Sequence, residues 1–238
     1  MAQMGERRSY RHYDLVMAGF VTVLLCSNLI GPGKVCYVNL FGWSLAFGAG
    51  NLFFPISYIF DDVLTEVYGY ARSRRVIWAG FFAMLFATAM STFVLYAPAD
   101  PHEPYNKVIQ PALVVIFGNT WRIILASIVA FWIGDFLNSY VLAKMKVRMQ
   151  GKHLWMRTIG STIVGEGADS LVFYPIAFAG TWSNDVMIKV VLFNWVFKVA
   201  MEVLFTPVTY FVVKRLKKAE AEDYYDRNTD FTPFSLKV

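Results

Sequence analysis

The sequence predicts an all-α protein: a polytopic membrane bundle of about six transmembrane helices, with broken or kinked helices around a polar site. Three observations carry that expectation. Hydrophobic residues make up 57% of the 238 residues and charged ones only 16%, against about 25% charged in soluble domains. Apolar runs near or above the spanning length recur along the whole chain. Cations cluster in alternate loops, which is how a bilayer protein sets its orientation.

The first run covers residues 14–30 and is stopped by Gly31-Pro32-Gly33, a strong helix breaker. Arg7-Arg8 ahead of it resembles a twin-arginine signal, but no small-residue cleavage pattern follows, so the run reads as a first span. The second span, residues 43–60, contains Pro55, which removes a helix hydrogen bond and should kink or break it. The third covers 76–97 and stops at Pro98, followed by a polar loop over 100–111. The fourth covers 121–142, with a short apolar element at 112–117 before it. The fifth covers 158–180 and the sixth 187–213. From Lys214 the chain turns polar, a tail that need not be ordered. The organisation expected is a cytoplasmic flank over 1–13, a transmembrane domain over 14–213 and a cytoplasmic tail over 214–238.

Charge supports that topology. Arg7, Arg8 and Arg11 precede span one; Arg72, Arg74 and Arg75 follow span two; Lys144, Lys146, Arg148, Lys152 and Arg157 follow span four; Lys214, Arg215, Lys217 and Lys218 follow span six. The alternate loops hold only Lys34, Lys107, Arg122 and Lys189. Six spans with both termini cytoplasmic satisfy the positive-inside rule. The net charge of +5 therefore belongs to the bilayer, not to nucleic acid. Cys26 and Cys36 make no framework, and His12, His102 and His153 are far apart, so neither a metal nor a cofactor is expected. No H-E-x-x-H, G-x-S-x-G or P-loop is present.

The chemistry-bearing residues lie within the apolar runs, where ionisable groups are costly and usually face a cavity, a partner charge or a substrate path. After span two, Tyr58, Asp62, Thr65, Glu66 and Gly69 share one helical face; the structural alternative is that Asp61 and Asp62 cap a helix at the membrane surface. In span five Glu166 and Asp169 stand three residues apart, and Thr162, Ser170 and Phe173 fall on the same arc. Gly160, Gly165 and Gly167 allow close packing or local unwinding there. In span six Asn194, Lys198 and Glu202 are spaced four apart. Lys198 either pairs with Glu202 or balances Glu166 and Asp169. Asp135, with Asn138, Ser139 and Trp132, puts further polar groups in span four. Trp132 and Trp195 lie deeper than the other tryptophans, where a planar ligand could stack. Spans two and five share acids and a proline, but the likeness is too weak to establish an inverted repeat.

FPISYIFDDVLTEVYGYARSRRVIW, GEGADSLVFYPIAFAG, FNWVFKVAMEVLFTPVTY and the tail DYYDRNTDFTPFSL occur in that order. Together they resemble the bacterial queuosine precursor transporter family, also called the vitamin uptake transporter-like family, over essentially the whole chain. The resemblance implies uptake of 7-cyano-7-deazaguanine or 7-aminomethyl-7-deazaguanine across the bacterial inner membrane, for salvage into the tRNA base queuosine. The partners expected are a small deazapurine and the lipid bilayer, and the chain leaves room for a homodimer. Candidate binding residues are Tyr58, Asp62, Glu66, Glu166, Asp169, Ser170, Phe173, Trp195 and Lys198. Two other readings stay open: a substrate-binding membrane subunit with a separate energising partner, and an intramembrane hydrolase using Asp135 and Asp169.

Overall fold

A computed structural model describes residues 10–30, 35–40, 43–48, 53–118, 121–235 and 237. Helices α1 (Tyr13–Ile30), α2 (Phe54–Val63), α3 (Tyr70–Tyr96), α4 (Asn106–Phe117), α5 (Trp121–Arg148), α6 (Leu154–Phe178) and α7 (Asn184–Glu220) account for most of it. Strands β1 (Val35–Leu40) and β2 (Trp43–Gly48) pair antiparallel between α1 and α2, with Leu40 opposite Trp43.

Three helices, Tyr13–Ile30, Tyr70–Tyr96 and Arg122–Arg148, are long and apolar enough to cross a membrane. Helices α6 and α7, with 25 and 37 residues, reach about 37 and 55 Å at 1.5 Å per residue, beyond the roughly 30 Å hydrocarbon core. Polarity is inverted relative to a soluble domain. Arg74, Arg157, Lys146, Glu66 and Glu202 rank among the largest fully buried side chains, while Phe82, Phe86, Phe93, Phe193, Leu204 and Phe211 face outward. A bilayer makes that arrangement favourable, because the apolar surface meets lipid and the polar groups satisfy one another inside.

The second apolar run departs from expectation. Residues 43–48 form a strand rather than the start of a helix, and the helix begins at Phe54. Gly42, Gly48 and Gly50 punctuate that run and weaken its helical reading. Pro55 sits in the first helical turn, where its missing N–H is no loss and its fixed φ suits the helix. It starts α2 instead of kinking it. Beyond Val63 the chain continues through a π-helical turn, Leu64–Tyr68, to Gly69 at φ 84°. The Tyr224 ring lies 2.2 Å from where a Cβ on Gly69 would stand, so both backbone and packing require glycine there.

Helices also outrun the apolar stretches. Arg72, Arg74 and Arg75 belong to the first turns of α3 rather than to a loop, and α7 continues to Glu220. Hydropathy marks membrane depth, whereas helical hydrogen bonding continues into the interface. The element expected at 112–117 is the end of α4, which carries Pro111 inside it.

Val16, Phe20 and Leu24 of α1, Val63, Leu64, Val67 and Tyr68 around the π-helical turn, and Val76 and Met84 of α3 form the main apolar core. Helices α5 and α6 cross closely at Gly134 and Gly165. A Cβ on Gly165 would lie 2.7 Å from Asn138 Cβ and 2.8 Å from the Gly134 carbonyl oxygen. Small residues let two backbones approach this far.

The tail is docked, contrary to the expectation that it need not be ordered. Tyr70 N–H donates to both Asp226 carboxylate oxygens at 3.1 Å, and Tyr70 OH donates to the Phe231 carbonyl at 3.1 Å. The Arg74 guanidinium donates to the carbonyls of Asp230 (2.8 Å), Thr232 (2.6 Å) and Lys237 (2.7 Å). Trp78 Nε1 donates to Pro233 O at 2.8 Å. Phe231 packs on Tyr70 and Tyr140, and Phe234 on Trp78 and Trp132. The tail's charges suggest disorder, but its aromatic rings and backbone acceptors find partners on α3 and α5.

Candidate functional site

Among helices α1 to α7 lies a cavity of about 550 Å³, with Ile116 and Phe117 at the end of α4 on its border, a volume usual for small-molecule sites. Tyr58 and Asp61 reach it from α2, Asp135 and Asn138 from α5, Glu166, Asp169 and Phe173 from α6, and Asn194 and Lys198 from α7. Phe20, Leu24, Met84 and Phe131 supply apolar wall. The site therefore depends on how several helices rotate about their axes.

The charged centre joins α6 to α7. Lys198 Nζ stands 2.6 Å from Glu166 Oε2 and 2.5 Å from Asp169 Oδ2. The i, i+3 spacing of the acids presents both to one ammonium from the facing helix. Of the two sequence readings of Lys198, the structure forms the pairing with Glu166 and Asp169; among the described residues no ion pair links Lys198 to Glu202. All three charged side chains keep some exposure to the cavity, so the cluster can rearrange around a guest.

A second polar group joins α2 to α5. Asn138 Nδ2 donates to Asp61 Oδ2 at 2.6 Å and to Asp62 Oδ1 at 3.1 Å. Ser139 Oγ donates to Asp61 Oδ1 at 3.2 Å while accepting from Thr65 Oγ1 at 2.9 Å. Asp61, read from sequence only as a surface cap, thus lines the cavity and is held in place by α5. Asn138 and Ser139, one turn beyond Asp135, are the sequence signal of that contact.

The expected binding residues divide. Tyr58, Glu166, Asp169, Phe173 and Lys198 line one cavity; Asp62, Glu66, Ser170 and Trp195 do not border it. Asp62 turns away, almost fully buried. Glu66 is buried among cations from three helices: both terminal nitrogens of Arg157 bond its carboxylate, Lys217 Nζ lies at 2.6 Å and Lys146 Nζ at 3.4 Å. Ser170 is buried on α6. Trp195 donates through Nε1 to Ile163 O at 2.9 Å and packs over Gly167. Trp132 meets Trp78 and Phe136 edge-on and Phe234 at a tilt, and does not border the cavity.

Residues 48–212 match the model of the family described as "Putative vitamin uptake transporter". The chain is 32% identical to the "Probable queuosine precursor transporter" of Bacillus subtilis (strain 168), over 86% of this chain and 85% of that protein. It is 24% identical to the "Queuosine precursor transporter" of Escherichia coli (strain K12), over 71% and 72% of the two chains. No solved structure matches the chain. The family is one of transporters and not of enzymes, which removes the hydrolase reading of Asp135 and Asp169. An apolar outer surface, a cavity that carries ionisable side chains and these likenesses converge: the chain belongs to the vitamin uptake transporter family and is a membrane transporter.

Proposed function

We propose that this transporter imports a 7-deazaguanine precursor of queuosine, 7-cyano-7-deazaguanine or 7-aminomethyl-7-deazaguanine, across the bacterial inner membrane for tRNA queuosine salvage. The observation that carries this is the Glu166–Asp169–Lys198 cluster lining one cavity together with Tyr58 and Phe173. A guanine-like edge presents adjacent N–H donors, which one carboxylate accepts as a bidentate pair. Lys198 pairs with both acids but its single charge balances only one, which leaves a net negative charge for that edge or for a protonated aminomethyl group. Tyr58 and Phe173 offer faces for a planar bicycle. The relatives' names support the same cargo. Cations at the tail end of the bundle, Arg72, Arg74, Lys144 and Lys214 among them, support cytoplasmic termini.

Purified protein in proteoliposomes, with no other protein present, should take up labelled 7-aminomethyl-7-deazaguanine and be inhibited by the cyano compound. Asp169→Asn should weaken binding by about 1.5–3 kcal/mol, the loss of one charge-assisted hydrogen bond. Binding without uptake would instead indicate a subunit that needs an energising partner. Absence of both would reject this cargo.

A further inference from the structure

The acids buried in this bundle differ in what compensates them. Glu66 has three cations, and Glu166 and Asp169 share Lys198. Asp61 accepts from Asn138, Ser139 and, at 3.5 Å, Ser73. Among the described residues Asp62 receives only the Asn138 amide, and its Oδ2 has no hydrogen-bond donor. Neither Glu202 oxygen receives a hydrogen bond from the described residues. Both side chains are about 1% exposed, and among the described residues neither has a cation within ion-pair distance.

These two groups face each other, Asp62 from α2 and Glu202 from α7. Thr158 of α6 also adjoins Glu202, but its hydroxyl donates to Trp155 O at 3.2 Å. The other charged neighbours are Asp61 on α2 and Glu166 on α6, both acidic. Lys198, one turn from Glu202 on α7, is engaged by Glu166 and Asp169. Asp135 of α5 adjoins Asp61, Glu166 and Asp169. Two ionised carboxylates offer acceptors only and repel at contact. One proton between them turns that contact into a hydrogen bond and removes one buried charge.

We propose that Asp62 and Glu202 form a shared proton site behind the cavity, and that loading and emptying this site couples cargo movement to proton movement. The coupling half rests on the cargo reading above; the proton site does not. Asn138 bonds Asp61, which lines the cavity, and Asp62, which belongs to the pair. A guest that draws Asp61 or Asn138 toward itself takes away the one donor holding Asp62, and so changes the pair's hold on its proton. No covalent bond changes: the pair gains one proton from the more acidic side and releases one to the other.

Two measurements test this. The infrared C=O stretch of protonated carboxyl groups, recorded against pH on the full-length protein without cargo, should contain a component lost in both Asp62→Asn and Glu202→Gln. Each amide keeps the side chain's size and removes a buried charge, and a retained thermal transition shows that the variant is folded. In proteoliposomes, an inside-alkaline pH gradient should drive accumulation of labelled 7-aminomethyl-7-deazaguanine by the wild type. Glu202→Gln should lose that accumulation while still exchanging internal for external label. An unchanged carboxyl band in both variants overturns the proton site. Gradient-driven accumulation by Glu202→Gln equal to wild type overturns the coupling. If the wild type neither accumulates nor exchanges the compound, the cargo reading fails and the spectrum alone still decides the proton site.

Discussion

Buried charges at single positions separate scaffold from site. Glu66, Arg157, Lys146 and Lys217 form a closed cluster with its acid fully buried. The Glu166–Asp169–Lys198 group has similar pairing but opens onto the cavity. Breaking a buried pair from one side leaves the remaining charge poorly compensated and costs about 3–5 kcal/mol. Arg157→Met should therefore fall near the lower end of that range, because two lysines remain by Glu66. It should appear as a lower thermal midpoint in detergent, and Glu66→Gln added to it should recover part of the loss. An Arg157→Met protein as stable as wild type would show that the cluster does not hold the bundle together.

The helix crossings turn these residues toward one another. The α5–α6 contact at Gly134 and Gly165 brings Asp135 and Asn138 opposite Glu166 and Asp169. Gly165→Ala places a methyl group against the Asn138 Cβ and the Gly134 carbonyl, neither of which can swing aside. Overpacking of that kind costs about 1–3 kcal/mol, and separation of the helices would displace Asn138 from Asp61. Both the thermal midpoint and cargo binding should fall. Gly160→Ala on the same helix meets only the flexible end of Met145, at 3.1 Å, and should be milder. Equal effects of the two substitutions would contradict a specific role for the Gly134–Gly165 crossing.

Across the whole molecule, the docked tail ties the ends of α3, α5 and α7 together. Lys146 and Lys217 hold Asp223 at 2.6 and 2.7 Å. Partial burial works to raise the Asp223 pKa, but those lysines hold it below the ordinary carboxylate value. Asp226 goes the other way: burial raises its carboxyl, against the pull of the Thr229 hydroxyl and the Tyr70 N–H. The lowered Asp223 value means that its share of the docking stabilisation is fully present above the free value of about 4 and is lost as pH falls through the docked value, whereas the raised Asp226 value works in the opposite direction. Spin labels on the tail and on the end of α3 should show a docked distance at neutral pH, and Asp223→Asn should lengthen it. Removal of residues 223–238 should expose Tyr70 and Trp78 and lower thermal stability; an unchanged midpoint would mean that docking contributes nothing to the bundle.

Much of the fold was legible because a bilayer demands that each span satisfy its own backbone, so apolar runs mark α1, α3, α5, α6 and α7 directly. Helical spacing alone put Glu166, Asp169 and Phe173 on one arc, but left Lys198 open between Glu202 and those acids, a choice the α6–α7 packing makes. What adjoins what across elements was not legible. Asp61 and Asp62 are neighbours in sequence, yet one borders the cavity and the other meets Glu202, a division set by the packing of α2 against α5 and α7. Glu66 met its cations, and Trp195 its carbonyl on α6, through contacts far apart in sequence. The pairing of Val35–Leu40 with Trp43–Gly48 and the docked tail also depend on partners that local composition does not reveal. By itself the sequence determined the membrane character, most helices and the acids of α6, because these follow from hydropathy and a fixed helical period. Only tertiary structure decided which acids share a cavity, which are neutralised as scaffold and which face each other, because helix rotation and long-range pairing depend on the whole chain packing at once.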